Sequence, residues 1–172
     1  MHFMNKINYL KDNYKQLDEN VRSHLIIRNE RCPDEFLEML QSNFPVLPIS
    51  YMKFLKEYNG LKLDWISFRG APQEKRTSII DLLENWKEYY NLDLLKLNYC
   101  PIGEDAGADL YCLNEKGEVV MFDSEIYEDQ EPRFIADSFE SFMDECVLGK
   151  RYPEMSIEGS TFHQFLKEQG WA

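Results

Sequence analysis

Three carboxylates stand close together in segment 103–110, GEDAGADL, and are the first candidates for chemistry in the sequence. Glu104, Asp105 and Asp109 could bind a divalent cation or act as a general acid and base. An EF-hand places its ligands at alternate positions, followed by a glycine and a later glutamate, and the spacing here differs. The two glycines of the segment lack the following lysine of a phosphate-binding loop. We therefore predict a turn between strands, with no metal ion and no cofactor.

Nucleophilic catalysis has no clearer basis in the sequence. No Gly-x-Ser-x-Gly motif occurs, and His24 and His163 lie in predicted helices, where a histidine is more often packed or solvated than catalytic. The four cysteines are far apart and form no Cys-x-x-Cys pair, which favours buried free thiols over a zinc site. We expect a protein that is not an enzyme. A hydrolase or metal-dependent enzyme that uses the carboxylates of 104–109 is the third hypothesis.

The negative charge of the chain is concentrated in one segment. Residues 101–145 contain fourteen acidic and two basic residues, whereas the rest of the chain balances seventeen acidic against seventeen basic residues. The whole formal charge of −12 therefore belongs to this segment. Its field repels the phosphates of nucleic acids and of anionic membranes, so we expect neither as a partner, and it attracts basic proteins. The alternative is a hydrated face that only keeps the protein in solution.

One tyrosine lies inside the most acidic part of that segment, the loop 124–132. Tyr127 is flanked by Glu125, Glu128 and Asp129. An aromatic side chain among carboxylates is suited to anchor a protein interface. It could equally fold back onto the domain, and the sequence leaves both interpretations open.

Membrane insertion and export are not indicated by the sequence. No apolar run reaches the roughly 18 residues of a membrane span. The N-terminal residues lack the basic start and apolar run of a signal peptide. We therefore expect a cytoplasmic protein, and the sequence leaves its oligomeric state open.

The elements that position these residues follow from hydrophobic periodicity and turn residues. Helices are predicted over 6–28, 33–43, 48–58, 78–91, 138–148 and 160–169. Strands are predicted over 63–68, 99–102, 109–113, 118–123 and 133–136, with a hairpin turn at 114–117. Helices thus cluster at both ends of the chain around a central antiparallel sheet. This order indicates a single α+β domain over residues 1–172.

Several stretches together resemble one protein family. LPISYMKFLKEYNGL, residues 47–61, is similar to the signature LPxxYxxFLxxYNG of the SUKH superfamily, named in part for a yeast cell-wall-synthesis regulator. PIGEDAGADLYCL and the following NEKGEVVMFDSE resemble the family's turn, hairpin and acidic strand end. IADSFESFM resembles the start of its closing helix. The resemblance covers about 33–148, and the predicted helix 6–28 and the segment 150–172 are additions to it.

The resemblance implies a fold and a class of function. The family fold is α+β, with a mainly antiparallel, mixed sheet and helices packed on one side. Bacterial members are largely immunity proteins that bind a cognate toxin, often a nuclease, and block it inside the producing cell. Eukaryotic relatives resemble interaction or scaffold proteins. Ala108 stands before Asp109 where the family tends to have glycine, which leaves the carboxylate in place.

Two hypotheses therefore stand ahead of the enzyme. The leading one is a cytoplasmic immunity protein that neutralises a toxin, with a basic nuclease domain as the expected partner because an acidic surface complements a phosphate-binding site. The alternative is a general interaction or scaffold module of the SUKH type without a toxin partner. The candidate partner-binding residues are the acidic groups around 104–109 and 123–131 with two aromatic residues: Glu104, Asp105, Asp109, Asp123, Glu125, Glu128, Asp129, Tyr127 and Trp65.

Overall fold

A seven-stranded antiparallel sheet runs through the middle of the chain, and the computed structural model describes all residues, Met1–Ala172. The strands pair in the order in which they occur in the sequence, and every pairing is antiparallel. The predicted α+β class is confirmed, and the sheet is wholly antiparallel rather than mixed. The strands are β1 Leu25–Ile26, β2 Leu61–Leu63, β3 Ile66–Phe68, β4 Cys100–Asp105, β5 Leu110–Leu113, β6 Val119–Phe122 and β7 Arg133–Ala136.

Eight helices surround this sheet. They are α1 Phe3–Asp12, α2 Glu19–Arg22, α3 Asp34–Asn43, α4 Ile49–Glu57, α5 Ile79–Tyr89, α6 Phe139–Ser141, α7 Tyr152–Met155 and α8 Thr161–Glu168. A 3₁₀ turn, Tyr14–Gln16, follows α1, and a π-helix, Phe142–Val147, continues α6. None of the helices is both long and apolar enough to span a lipid bilayer.

Both faces of the sheet are covered, which the single-sided arrangement implied by the resemblance does not anticipate. Every residue of β5 and β6 is buried. Tyr111 and Met121 face the larger core, to which α1, α3, α4 and α8 contribute. Their neighbours Leu110 and Phe122 face a smaller core on the other side, where Trp86 of α5 packs. Because side chains alternate along a strand, α5 must lie across the sheet from the main group of helices.

The prediction of one helix over 6–28 is wrong, because this stretch forms four elements: α1, the 3₁₀ turn, α2 and β1. Helix α1 ends at Asp12, and the side chain of Asn13 donates to the carbonyl oxygen of Tyr9 at 2.9 Å. Asp18 then caps the short α2 by accepting from the N–H of Asn20, and Leu25 enters the sheet opposite Leu63. Apolar residues three and four apart recur through the stretch because α1, α2 and β1 each turn buried residues toward one core.

The Asn59-Gly60 pair lies near the end of the stretch LPISYMKFLKEYNGL, and its two residues have separate structural roles. Gly60 has φ +80°, and a Cβ there would lie 2.9 Å from the carbonyl oxygen of Phe68. The Oδ1 of the buried Asn59 accepts from the N–H of Ala71 at 2.7 Å and from the Cys32 thiol at 3.0 Å. The pair thus ends α4 and fixes the entry to β2 at the same point.

The two ends of the chain complete the larger core. Phe3 of α1 and Phe162 of α8 are fully buried in it. The Nζ of Lys6 donates to the carbonyl oxygen of Leu148 at 2.9 Å, which satisfies an acceptor at the end of the π-helix. The Tyr152 hydroxyl donates to the carboxylate of Asp64 in the β2–β3 turn. The residues outside the resemblance are therefore packed into the same core as those within it.

Candidate protein-binding surface

Three aromatic rings form a stack that leads from the smaller core to the surface. Trp86 of α5 stacks on Tyr90, the C-cap of α5, with ring centroids 3.9 Å apart and planes 15° apart. Tyr90 stacks in turn on Tyr127, at 5.2 Å and 7°. Tyr127 still exposes 61% of its surface. The outermost ring is thus held by the domain and presented to solvent, which combines the two interpretations that the sequence leaves open.

An open cleft of about 550 Å³ surrounds this outer ring. One wall is formed by Tyr90, Asn91 and Leu92 at the end of α5, and the other by the loop segment 127–131. We call it the acidic cleft, because its only charged lining residues are Glu128, Asp129 and Glu131.

The loop that carries the acidic cleft is held in shape by one amide side chain. The Oε1 of Gln130 accepts from the N–H of Asp123 at 2.8 Å. Its Nε2 donates to the carbonyl oxygens of Asp123, at 3.0 Å, and Ile126, at 2.8 Å. The carboxylate of Asp123 accepts from the N–H of Glu125 at 2.8 Å and so closes the first turn of the loop. Asp123 is therefore a structural residue, while Glu125, Glu128 and Asp129 remain exposed.

The carboxylates of the β4–β5 loop bind backbone and hydroxyl groups of the protein itself. The Oδ1 of Asp105 accepts from the N–H groups of Gly107, at 2.9 Å, and Asp109, at 3.0 Å. The Oδ1 of Asp109 accepts from the N–H of Ser124 at 2.8 Å and from its hydroxyl at 2.9 Å. Burial raises the pKa of the Asp105 carboxyl above its usual value. This loop is a turn tied to the acidic loop, and no group of three or more His, Cys, Asp or Glu side chains in the chain is arranged to hold a metal ion.

Glu104 and Trp65 also lie apart from the acidic cleft. Glu104 pairs with Arg69, and each side chain is about one quarter exposed, so its charge is compensated. Trp65 lies in the β2–β3 turn and packs edge-on against Tyr111, at 5.4 Å, and Phe142, at 6.1 Å. Tyr111 faces the larger core, whereas the Tyr127 stack adjoins the smaller one. The structure therefore places Trp65 and Tyr127 on opposite faces of the sheet.

The geometry thus divides the nine candidate residues into two groups. Only Glu125, Tyr127, Glu128 and Asp129 are exposed together on one loop. Sequence reasoning missed Tyr90, although Trp86 and Tyr90 stand four residues apart on a predicted helix, a spacing that brings two rings together on one face. It also missed Gln130, whose role depends on contacts that no spacing reveals.

A comparison with protein families assigns the domain. The model of the SMI1 / KNR4 family (SUKH-1) matches residues 31–145, about two thirds of the chain. The chain belongs to this family. Among curated proteins, none matches the sequence.

The SUKH-1 match can be placed on the fold. It begins just before α3 and ends within the π-helix, so it includes β2 to β7 and both walls of the acidic cleft. The predicted membership of the family is confirmed, and the matched residues 31–145 lie close to the predicted span of 33–148. Helices α1, α2, α7 and α8 and strand β1 lie outside the match, yet all four helices bury residues in the same core as the SUKH-1 region.

Proposed function

We propose that this SUKH-1 protein is a non-catalytic, cytoplasmic immunity protein that binds and neutralises a basic protein toxin through the acidic cleft. The observation that carries the proposal is Tyr127, an exposed ring stacked on Tyr90 and set beside three carboxylates. Interfaces characteristically place an aromatic anchor inside a polar rim. Membership of the family supports a protein partner.

The charges of the acidic loop are available for such a partner. None of the carboxylates of Glu125, Glu128, Asp129 and Glu131 forms an ion pair within the fold. Complementary charge accelerates association and favours correct orientation, and the effect falls as salt is added. A protein that protects a cell from a toxin benefits from a high association rate. An exposed cluster of uncompensated carboxylates supports this role.

The chemistry of the expected partner follows from the sign of the cleft. A nuclease domain holds phosphates with lysine and arginine, so its active site is positive. The acidic cleft would occupy or border such a site as a substitute for the nucleic acid. A basic nuclease domain is therefore our proposed class of toxin.

The second candidate function is an interaction or scaffold module whose partner is not toxic. The same observation of an aromatic anchor with an acidic rim supports it, because that arrangement recognises a basic surface whatever the surface does. The two candidates differ in the effect of the partner on cells, and this difference can be measured.

Affinity capture with the tagged chain from cells of its source tests the proposal. We expect one protein with a basic domain at low salt, released as the salt concentration rises. Expression of that domain alone should stop growth, and co-expression of the chain should restore it. Capture of a partner that is harmless when expressed alone would contradict the immunity proposal and favour the scaffold module.

A further inference from the structure

A second cleft, of opposite charge, lies beside the first three strands. Its volume is about 250 Å³, and it is lined by residues of β1 to β3 and of the loop before α5. Five basic residues line it, and no acidic residue does, although acidic residues outnumber basic ones by 31 to 19 in the chain. We call it the basic cleft. Its five bases are Arg28, Lys62, Arg69, Lys75 and Arg76.

The bases of this cleft converge from separate parts of the chain. Arg28 follows β1, Lys62 lies on β2, and Arg69 follows β3, while Lys75 and Arg76 belong to the loop before α5. Like charges gathered in this way repel one another, and the repulsion is relieved when an anion binds between them. Such an arrangement is typical of a binding site rather than of a face that only needs hydration.

Two of the arginines are oriented by carboxylates that do not line the cleft. Glu104 pairs with Arg69, and Glu30 pairs with Arg76 at 3.0 Å. Gln73, which also lines the cleft, donates to the same Glu30 carboxylate at 3.2 Å. Arg28, Lys62 and Lys75 form no ion pair within the fold. Five positive charges held beside two negative ones leave a net positive site.

An unsatisfied donor lies at the same place. The Nε of Arg69 is buried and has no hydrogen-bond partner. Buried donors are rarely left unpaired, because the missing bond costs free energy. The fold itself supplies no acceptor for this nitrogen of Arg69, a residue that lines the basic cleft.

Helix α5 runs from the basic cleft to the acidic cleft. Lys62 pairs with Ser67, Ser67 with Glu104, Glu104 with Leu110 and Leu110 with Phe122, so these residues share the face of the sheet that α5 covers. Thr77, just before α5, lines the basic cleft, and Tyr90, at its end, lines the acidic one. The eleven residues of α5 give this helix a length of about 16 Å.

We propose that the basic cleft binds a phosphoryl group carried by a small molecule. A single guanidinium satisfies a carboxylate with two parallel hydrogen bonds, whereas a tetrahedral phosphoryl group accepts donors from several directions. Donors from four segments of chain around a small cleft fit the second geometry. This site is separate from the acidic cleft and does not depend on the partner proposed for it.

Titration of the isotopically labelled protein with pyrophosphate, followed by amide NMR shifts, tests this proposal. We expect saturable shifts at Gly60, Gly70 and Lys75 and none in the loop 127–131. The double variant Lys62→Gln, Lys75→Gln should weaken binding about tenfold, because each lost charge-assisted bond contributes strongly. The matched control Lys15→Gln, Lys167→Gln makes the same change of charge on exposed helical surface elsewhere and should bind like the wild type. A thermal melt of each variant checks its fold.

Orthophosphate and citrate serve as comparison anions and test whether the cleft prefers a phosphoryl group. Orthophosphate should shift the same amides more weakly than pyrophosphate, and citrate should bind more weakly than pyrophosphate despite its three carboxylates. Equal binding of citrate would overturn the phosphoryl assignment. Absence of saturable shifts up to about 10 mM pyrophosphate, or equal weakening in the control variant, would overturn the site itself.

Discussion

The ring of Tyr127 lies parallel to the ring of Tyr90, with 5.2 Å between their centroids and 7° between their planes. Stacking fixes the orientation of a side chain that is otherwise 61% exposed. A side chain that is already ordered loses little conformational entropy when a partner covers it. The stack therefore makes Tyr127 the residue on which the proposed interface depends most.

We predict that Tyr127→Ala weakens binding of the protein partner by about 2 kcal/mol, or about 30-fold in Kd, because the aromatic anchor is lost. Tyr127→Phe should bind nearly as the wild type, since it keeps the stacked ring. Titration calorimetry with the purified partner measures both. Tyr14→Ala removes another partly exposed tyrosine, far from the loop in sequence, and serves as the control. Equal affinity of Tyr127→Ala and wild type would remove this residue from the interface.

Reversal of the exposed charges should change the rate of binding more than the fold. In the triple variant Glu125→Lys, Glu128→Lys, Asp129→Lys we expect the association rate constant to fall at least about tenfold at low salt. The difference from the wild-type rate constant should shrink as the salt concentration rises. Stopped-flow kinetics across a salt series measures this. The variant Glu57→Lys, Glu158→Lys, Glu168→Lys makes the same change of net charge at exposed positions elsewhere. A similar loss of rate in both variants would mean that only overall charge matters.

The acids of the β4–β5 loop should behave as structural residues. Asp109→Ala leaves the N–H of Ser124 without its acceptor, while the hydroxyl of Ser124 keeps the carbonyl oxygen of Gly107 at 2.9 Å. We predict a loss of about 1–2 kcal/mol in the free energy of unfolding, because a partly buried donor loses its partner. Glu128→Ala, on the exposed loop, should change the free energy of unfolding by less than about 0.5 kcal/mol. Urea unfolding gives both values. Equal stability of the two variants would show that the bond between Asp109 and Ser124 contributes nothing measurable.

Asp105 gives a prediction with a definite sign in pH. Burial raises its pKa in the folded state, so the folded protein binds this proton more tightly than the unfolded chain does. Its contribution therefore favours folding at acidic pH and declines as pH rises through the raised pKa. Asp105→Asn keeps an oxygen for Gly107 and Asp109 and removes the titration. The stability of Asp105→Asn relative to wild type should thus be higher at pH 7 than near pH 4.

Urea unfolding of both proteins across this pH range measures that difference. The comparison must be made between the two proteins, because carboxyls with lowered pKa values, such as Glu30 and Asp93, give the wild type a dependence of opposite sign. A difference that stays constant from pH 4 to pH 7 would mean that burial does not perturb Asp105.

Local rules explain which elements the sequence predicts well. The helices at 34–43 and 49–57 follow a proline with an apolar stripe after it, and α5 carries the capping box of Ser78 and Asp81. The hairpin of β5 and β6 turns at Gly117, which has φ +79°. Each signal lies within a few residues of the element that it specifies, so one sequence is enough to detect it.

Other features depend on contacts between distant parts of the chain. The strand β1 inside the first predicted helix is formed by Leu25 pairing with Leu63, and the helical layer on the second face of the sheet depends on Trp86 packing on Phe122. The same limit applies to the site. The sequence identified the loop by its acidic residues and its tyrosine. It did not show that Asp109 is a structural residue and Glu128 an exposed one, because the bond from Ser124 to Asp109 is visible only in the fold. The composition gives the number of charged groups, and only the fold shows which of them already have a partner within the protein.

Site-specific photo-crosslinking in cells of the source tests whether Tyr127 lies in an interface with a basic protein. A benzoylphenylalanine at position 127 places the reactive group on the outer ring of the stack, and the same group at Ile157, which is 75% exposed, serves as the control. We expect an adduct between position 127 and one protein with a basic domain, which high salt before illumination abolishes, and no such adduct from position 157. An adduct with the same protein from position 157 but not from 127 would contradict this expectation.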